Sequence, residues 1–375
     1  MTVFLALREL SFARGRFALM GSVVALIAVL MVLLSGLSVG LVNDGVSGLQ
    51  KLPVTSFAFQ EDAPKDSAFS RSTVDRAAVE TWAEQPGVED AAPFGNTLVN
   101  GRSDSGVEID LALFGVEQGS YIEPSVAEGS PLAAPGDVVI SETAADEGIE
   151  IGDVITLEST GTQLRVAGVL DGQHTFGHVD VGYLPLRTWQ EIRAGVREGD
   201  VVPDHAYDAI TAVAVSGTDL DLAAGDAAAG TTSMTREQSF GASPGYTAET
   251  STLRLIQVFL YAISALVVGA FFTVLTIQRR QEIAVMRAMG ASTRYLLRDS
   301  LVQSLVLLVA ASAVGVGLGV TAGAALMSTP MPFALDAAAL TLATGLLIVL
   351  GMLGAGVAVL RITRVDPLTA LGGNR

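Results

Sequence analysis

The sequence contains no cysteine, and only 16% of its 375 residues are charged. The first absence excludes a disulfide framework, thiolate catalysis and any cysteine-based metal or haem attachment. Lysine is nearly missing too. Lys51 and Lys65 are the two present, and neither follows a glycine-rich turn, so the chain holds no P-loop for nucleotide phosphates. Charge is absent altogether from four stretches: Phe17 to Asn43, Leu255 to Gln278, Ser300 to Leu335 and Ala337 to Leu360. Each exceeds the roughly 20 residues with which a helix crosses about 30 Å of hydrocarbon. A soluble cytosolic enzyme and a disordered chain are both excluded.

The first stretch is too long for the apolar core of a secretory signal, and no convincing small-residue cleavage site follows it. The third is too long for one simple span, but Thr329-Pro330-Met331-Pro332 interrupts it. Two prolines so close end a helix and mark a turn, so the third helix is expected to stop near Met327. The reading is an α-helical membrane protein with four transmembrane helices, at 17–43, 255–278, 300–328 and 337–360. A mixed α/β extracytoplasmic domain at 44–254 is inserted between the first and second. Residues 1–16, 279–299 and 361–375 then form a cytoplasmic start, loop and tail, and 329–336 an outer loop.

Charge orients this arrangement. The three segments assigned to the cytoplasm carry eleven arginines against Glu9, Glu282, Asp299 and Asp366, a net of +7, whereas residues 44–254 carry a net of −23. Short arginine-rich loops stay inside, which places both termini in the cytoplasm and the acidic domain outside a plasma membrane.

Within the outer domain, helical spacing is expected at Asp75 to Gln85 and Leu186 to Arg197, with a short helix at Glu142 to Glu147. Asp137 to Ile140 reads as a strand, and Val154 to Leu157 with Gln163 to Leu170 as a hairpin. Ala223 to Thr232 reads as a surface segment. His174 and His178 have the spacing of a helical metal clamp, but Gly172 and Gly177 bracket them and favour loop or strand. Gly241-Ala242-Ser243-Pro244-Gly245 has the letters of a nucleophile elbow; Pro244 lacks the backbone N–H that such an elbow supplies, and neither flank fits. The domain therefore reads as a binding or coupling body, with no catalytic residues and no metal site.

The spans hold almost no ionisable groups, so no proton relay of a secondary transporter is built in. Gly315, Gly319 and Gly323, like Gly36 and Gly40, recur at the four-residue spacing that lets helices pack closely in lipid. If the protein moves a cargo, the energy comes from a partner.

The loop Gln278-Arg279-Arg280-Gln281-Glu282-Ile283-Ala284-Val285-Met286-Arg287-Ala288-Met289-Gly290-Ala291-Ser292 closely resembles the signature of FtsX/MacB-type ABC transporter permeases. So does the tail Arg364-Val365-Asp366-Pro367-Leu368-Thr369-Ala370-Leu371, while Leu5 to Leu10 resembles the amphipathic elbow helix before the first span. The resemblance implies a non-catalytic subunit that pairs with a second permease copy and with a separate dimer of ATPase subunits, where ATP binds. It implies ATPase docking by Arg280, Glu282, Ile283, Met286, Arg287, Met289 and Gly290. No nucleic-acid partner and no permanently bound cofactor are expected.

His178-Val179-Asp180-Val181-Gly182-Tyr183, followed by Trp189, resembles a segment of the family's haem-efflux members, which makes haem the leading cargo. Iron accepts Met and Tyr ligands. Met31 and Tyr261 fall in the outer halves of their spans, Phe259 is close by in sequence, and Tyr246 and Glu249 fall just above the membrane. These five are the candidate substrate residues. A domain at −23 repels haem propionates and draws cationic peptides, so a peptide or macrolide exporter stays open. So does a mechanotransmitting scaffold that controls an extracellular cell-wall enzyme.

Overall fold

The computed structural model describes residues 14–197, 199–278, 285, 289, 292–329 and 331–363. Nearly all of the expected elbow, the tail motif, and Arg280, Glu282, Ile283, Met286, Arg287 and Gly290 lie outside the described residues. The chain forms two units, residues 1–41 with 251–375, and residues 42–250.

The first unit is helical. Four long helices, Arg14–Gln50, Tyr246–Gln278, Thr293–Leu326 and Ala337–Thr363, supply it. Each contains a segment long and apolar enough to cross a bilayer. The first helix runs past Asn43 because its last turns are held in the second unit, where Val46 and Leu49 are fully buried. The third opens on a Ser292 cap, whose side chain accepts from the Tyr295 N–H, and ends at Leu326, three residues before the Thr329-Pro330 interruption. Asp336 Oδ1 accepts from the Ala339 N–H at the start of the fourth.

Glycine sets the spacing in this bundle. A Cβ on Gly315 would stand 2.3 Å from the Ala25 carbonyl oxygen, and one on Gly319 would stand 2.7 Å from Val32 Cβ. The third helix thus meets the first at backbone distance. The Phe333 ring occupies the space left by Gly36 and Gly323, where added Cβ atoms would fall 2.2 Å and 2.8 Å from it. The outer loop also donates from the Ala334 N–H to the Gly36 carbonyl. Two apolar clusters complete the packing. One gathers Phe17, Met20, Val24, Val268, Leu307, Leu308, Ala311 and Ala355; the other gathers Ile27, Ala28, Met31 and Leu347 with Leu260 and Tyr261 against them.

The second unit is built on thirteen strands: β1 (Ser56–Gln60), β2 (Val74–Asp75), β3 (Val88–Ser103), β4 (Glu108–Val116), β5 (Glu128–Gly129), β6 (Asp137–Ile140), β7 (Val154–Leu157), β8 (Gln163–Val169), β9 (Thr175–Phe176), β10 (Val179–Pro185), β11 (Ala209–Ile210), β12 (Ala212–Gly217) and β13 (Thr231–Thr235). The main sheet runs β13-β1-β12-β3-β4-β10-β6-β8-β5. Only the β4–β10 and β6–β8 pairs in it are parallel. The period-two alternation of side chains divides the sheet into two buried faces. Phe57, Phe59, Ala112, Phe114, Val139, Ala212 and Ala214 fill one, together with Phe69, Phe94 and Phe176. Ala58, Leu111, Leu113, Val138, Ile140, Val213 and Val215 fill the other, with Trp82 and Trp189. Strands buried on both faces read as near-continuous apolar runs. For that reason the sequence shows the hairpin β7–β8 more plainly than the central strands.

Local differences from the sequence reading have packing causes. The helix expected at 75–85 is Ala78–Ala83, and the one expected at 186–197 stops at Arg193, ahead of Gly195 in the left-handed region at φ +71°. Residues 223–232 are largely exposed or half-buried, as the surface reading expects, but most of them are helical, and the helix is anchored at one buried point. Leu222–Ala229 is a helix capped by Asp221, and Gly225 lies so close to Trp82 that a Cβ there would fall 2.4 Å from the ring.

Gly95 and Gly115, paired across β3 and β4, carry the Trp189 indole directly on their backbones, with Cβ positions 2.3 Å and 2.6 Å from it. Gly95→Ala is expected to cost about 1–3 kcal/mol or more by overpacking. Gly136→Ala, whose Cβ would meet nothing nearer than Gln163 O at 3.6 Å, should be close to neutral. Thermal unfolding of the purified chain followed by tryptophan fluorescence distinguishes the two.

Candidate functional site

Two arrangements answer to the candidate residues, one in each unit. In the helical unit, Leu30, Leu33, Leu34 and Leu37 of the first helix and Ile256, Phe259, Leu260 and Ile263 of the second present matching i, i+3, i+4, i+7 faces. With Leu326, Met331 and Phe333 they line a groove of about 540 Å³. Its lining is entirely apolar, and Phe259 is 61% exposed. A groove of this size and lining accommodates the apolar body of a small amphiphile.

Of the five candidate substrate residues, Phe259 alone lines this groove. Met31 is 3% exposed and packs in the adjoining cluster with Leu347, a correction to its expected place facing a ligand. Position 31 lies roughly a quarter turn round the helix from the groove-facing leucines, on the face of Ile27 and Ala28. Tyr261 packs beside it, half-buried, for the same reason. The missed leucines carried a signal in the sequence, because Leu30, Leu33, Leu34 and Leu37 are spaced as one helical face.

Tyr246 and Glu249 belong to the other unit. There β9 and β10 are joined by the two-residue turn Gly177-His178, with φ +61° and +67°, the type I′ pattern. The turn holds the His178 ring between two carboxylates. Nδ1 lies 2.8 Å from Asp44 Oδ2, while Nε2 faces Glu249 Oε2 at 3.1 Å, within ion-pair distance but without hydrogen-bond alignment. The staple thus joins residues near the end of the first long helix, a hairpin tip and the start of the second. Gln173 Nε2 donates to the other Asp44 oxygen, and the Tyr246 ring meets Phe240 edge-on at 6.1 Å. Glu249 is therefore engaged by an imidazole, and His178 is that partner and not half of a histidine metal clamp. His174 is buried, with Nδ1 3.1 Å from the Gly172 carbonyl. Among the described residues no group of three or more His, Cys, Asp or Glu could hold a metal ion. The elbow-like segment is no nucleophile either. A helix follows it, but no strand precedes it, and Ser243 Oγ is buried and donates to the Gly45 carbonyl.

Burial shifts two groups beside the staple. It holds the His174 imidazole below its ordinary value, with Lys51 adding to the effect and the Gly172 carbonyl opposing it. It pushes Asp180 up, against hydrogen bonds from Thr143 and Ser141. Met289, the one expected docking residue among the described residues, is 75% exposed, and its N–H donates to the Val285 carbonyl.

Four helices of membrane-crossing length, with an α/β domain between the first two, define a multi-pass membrane protein with an extracytoplasmic domain. Residues 17–229 match the MacB-like periplasmic core domain, and residues 254–367 the FtsX-like permease C-terminal domain. The chain belongs to this family of ABC transporter permeases. It is 22% identical over 378 residues to a Staphylococcus epidermidis protein named as the hemin transport system permease HrtB, covering 99% of each chain. It is 23% identical to the Staphylococcus haemolyticus protein of that name, covering 98% and 99%. It is also 25% identical to Rv0072, an uncharacterized ABC transporter permease of Mycobacterium tuberculosis, covering 99% of both. The extracellular domain of YknZ from Gram-positive bacteria superposes with a TM-score of 0.34 at 14% identity, covering 48% of this chain and 98% of that one.

A histidine that is harder to protonate when folded makes the unfolded chain the better proton acceptor. Stability from His174 is therefore complete above the ordinary histidine value and is lost as pH falls through it toward the lower folded value. The thermal midpoint should fall between about pH 7 and about pH 5. His174→Gln should make that fall shallower; an equal fall in the variant would assign the acid limb to other groups.

Proposed function

We propose that the chain is the non-catalytic permease subunit of an ATP-driven efflux complex whose cargo is an amphiphile, haem being the best match. The observation that carries this is the apolar groove on the first and second membrane helices, which contains no ionisable side chain. Such a site takes up a flat apolar body from within the bilayer and offers nothing to a polar solute or a free ion. The hemin transport named for relatives aligned over the whole chain favours haem within that class.

Phe259, in this reading, offers a ring face to the tetrapyrrole. Tyr261, half-buried one helical face away, is the available iron ligand. Both termini lie in the cytoplasm, two permeases pair, and a separate ATPase dimer docks on Arg280, Glu282, Ile283, Met286, Arg287, Met289 and Gly290. ATP binds on that partner. The acidic exterior domain favours a cationic peptide in one respect, since it repels propionates, and the same experiment separates the two cargoes.

The test is to co-purify the chain with its cognate ATPase in lipid and titrate hemin while recording absorption spectra and ATP hydrolysis. A saturable Soret shift with a change in hydrolysis is expected. Leu34→Trp, which fills the groove, should weaken hemin binding by about tenfold or more. Tyr261→Phe should change the shape of the bound spectrum. No shift with hemin, alongside stimulation by a cationic peptide, would move the assignment to peptide export.

A further inference from the structure

A second groove lies at the other end of the third membrane helix. Arg294 and Arg298 stand at its mouth, and Leu301, Val302 and Leu305 continue the same helix below them, with Met352 of the fourth helix opposite. Its volume is about 430 Å³. We infer that this groove binds an anionic phospholipid, its phosphate held by Arg294 and Arg298 and one acyl chain lying along the apolar wall.

Three observations converge on that ligand. First, the arginines are four residues apart, so they share a face of the helix, and like charges so placed repel. Both are exposed, and neither has an ion-pair partner among the described residues. A bound anion relieves the repulsion. Second, the guanidinium is a planar fork that matches phosphate oxygens two at a time. The helix begins one residue earlier, at Thr293, so the positive end of its dipole adds to the same field. Third, the apolar wall starts within one turn of Arg298, the first residue of the membrane-crossing segment. A free phosphate leaves that wall uncovered, whereas a two-chain lipid covers it with its own tail. Basic sites next to membrane helices, on the arginine-rich side of the membrane, bind anionic headgroups in this way. The inference needs the membrane topology but is independent of the cargo, so hemin binding and lipid binding stand or fall separately.

The full chain, purified in detergent, is titrated with phosphatidylglycerol or with phosphatidylcholine of the same acyl chains, and retained lipid is counted by native mass spectrometry. Phosphatidylglycerol should be retained in preference. Each arginine changed to glutamine should weaken its retention roughly fivefold, so Arg294→Gln with Arg298→Gln should reach about 25-fold and approach phosphatidylcholine. Leu305→Trp fills the apolar part and leaves both charges, and it too should release the lipid. Excess inorganic phosphate should not displace it. Thermal midpoints verify that the variants fold. Equal retention of the two lipids would reduce the arginines to general interfacial anchors and overturn the proposal. Full competition by phosphate, or unchanged retention in Leu305→Trp, would also overturn it. Unchanged retention in the double variant together with lost ATPase association would reassign the arginines to protein docking.

Discussion

The third membrane helix touches the first at backbone distance, and the rest of the helical unit is arranged around that contact. In lipid, helices gain little from leaving their surroundings, so close van der Waals packing has to hold them together. Gly315 against Ala25 and Gly319 against Val32 permit that approach. One turn further out Gly36 and Gly323 leave a gap of the right size for Phe333, which the outer loop delivers. Phe333 is also a wall of the apolar groove, so Gly36 and Gly323, by seating it, shape that groove.

The extracytoplasmic unit solves a different problem. Its sheet is buried on both faces, and two tryptophans are seated on glycines, Trp189 on Gly95 and Gly115, Trp82 on Gly225. That frame fixes the Gly177-His178 turn, and the turn fixes an imidazole between Asp44 and Glu249. The arrangement is a staple. His178 is engaged by two carboxylates, and Ser243 is buried and donates to the Gly45 carbonyl, so both are held in structural contacts.

The uncharged stretches and the proline pair made the four spans legible, because length and charge alone decide what lipid accepts. The hairpin β7–β8 was legible from local alternation. The helix Leu222–Ala229 was not, since a run of alanine and glycine has no apolar face, and the contact that holds it, Gly225 on Trp82, is distant in sequence. The pairing of Glu249 with His178 is hidden for the same reason, as no local period encodes a contact between a hairpin tip and a helix start. The burial of Met31 was not legible in its sequence position. Counting residues gives height along a helix, whereas the face depends on which neighbours arrive, and here Ile27, Ala28 and Leu347 enclose it.

The most direct test of the account is transport itself. The chain and its cognate ATPase are reconstituted in liposomes loaded with hemin, and transfer to an external hemin-binding acceptor is followed with and without ATP on the ATPase side. Transfer that requires ATP, and that stops with a hydrolysis-deficient ATPase, is the predicted result. Hydrolysis that proceeds with no transfer of hemin above the ATP-free rate would contradict it.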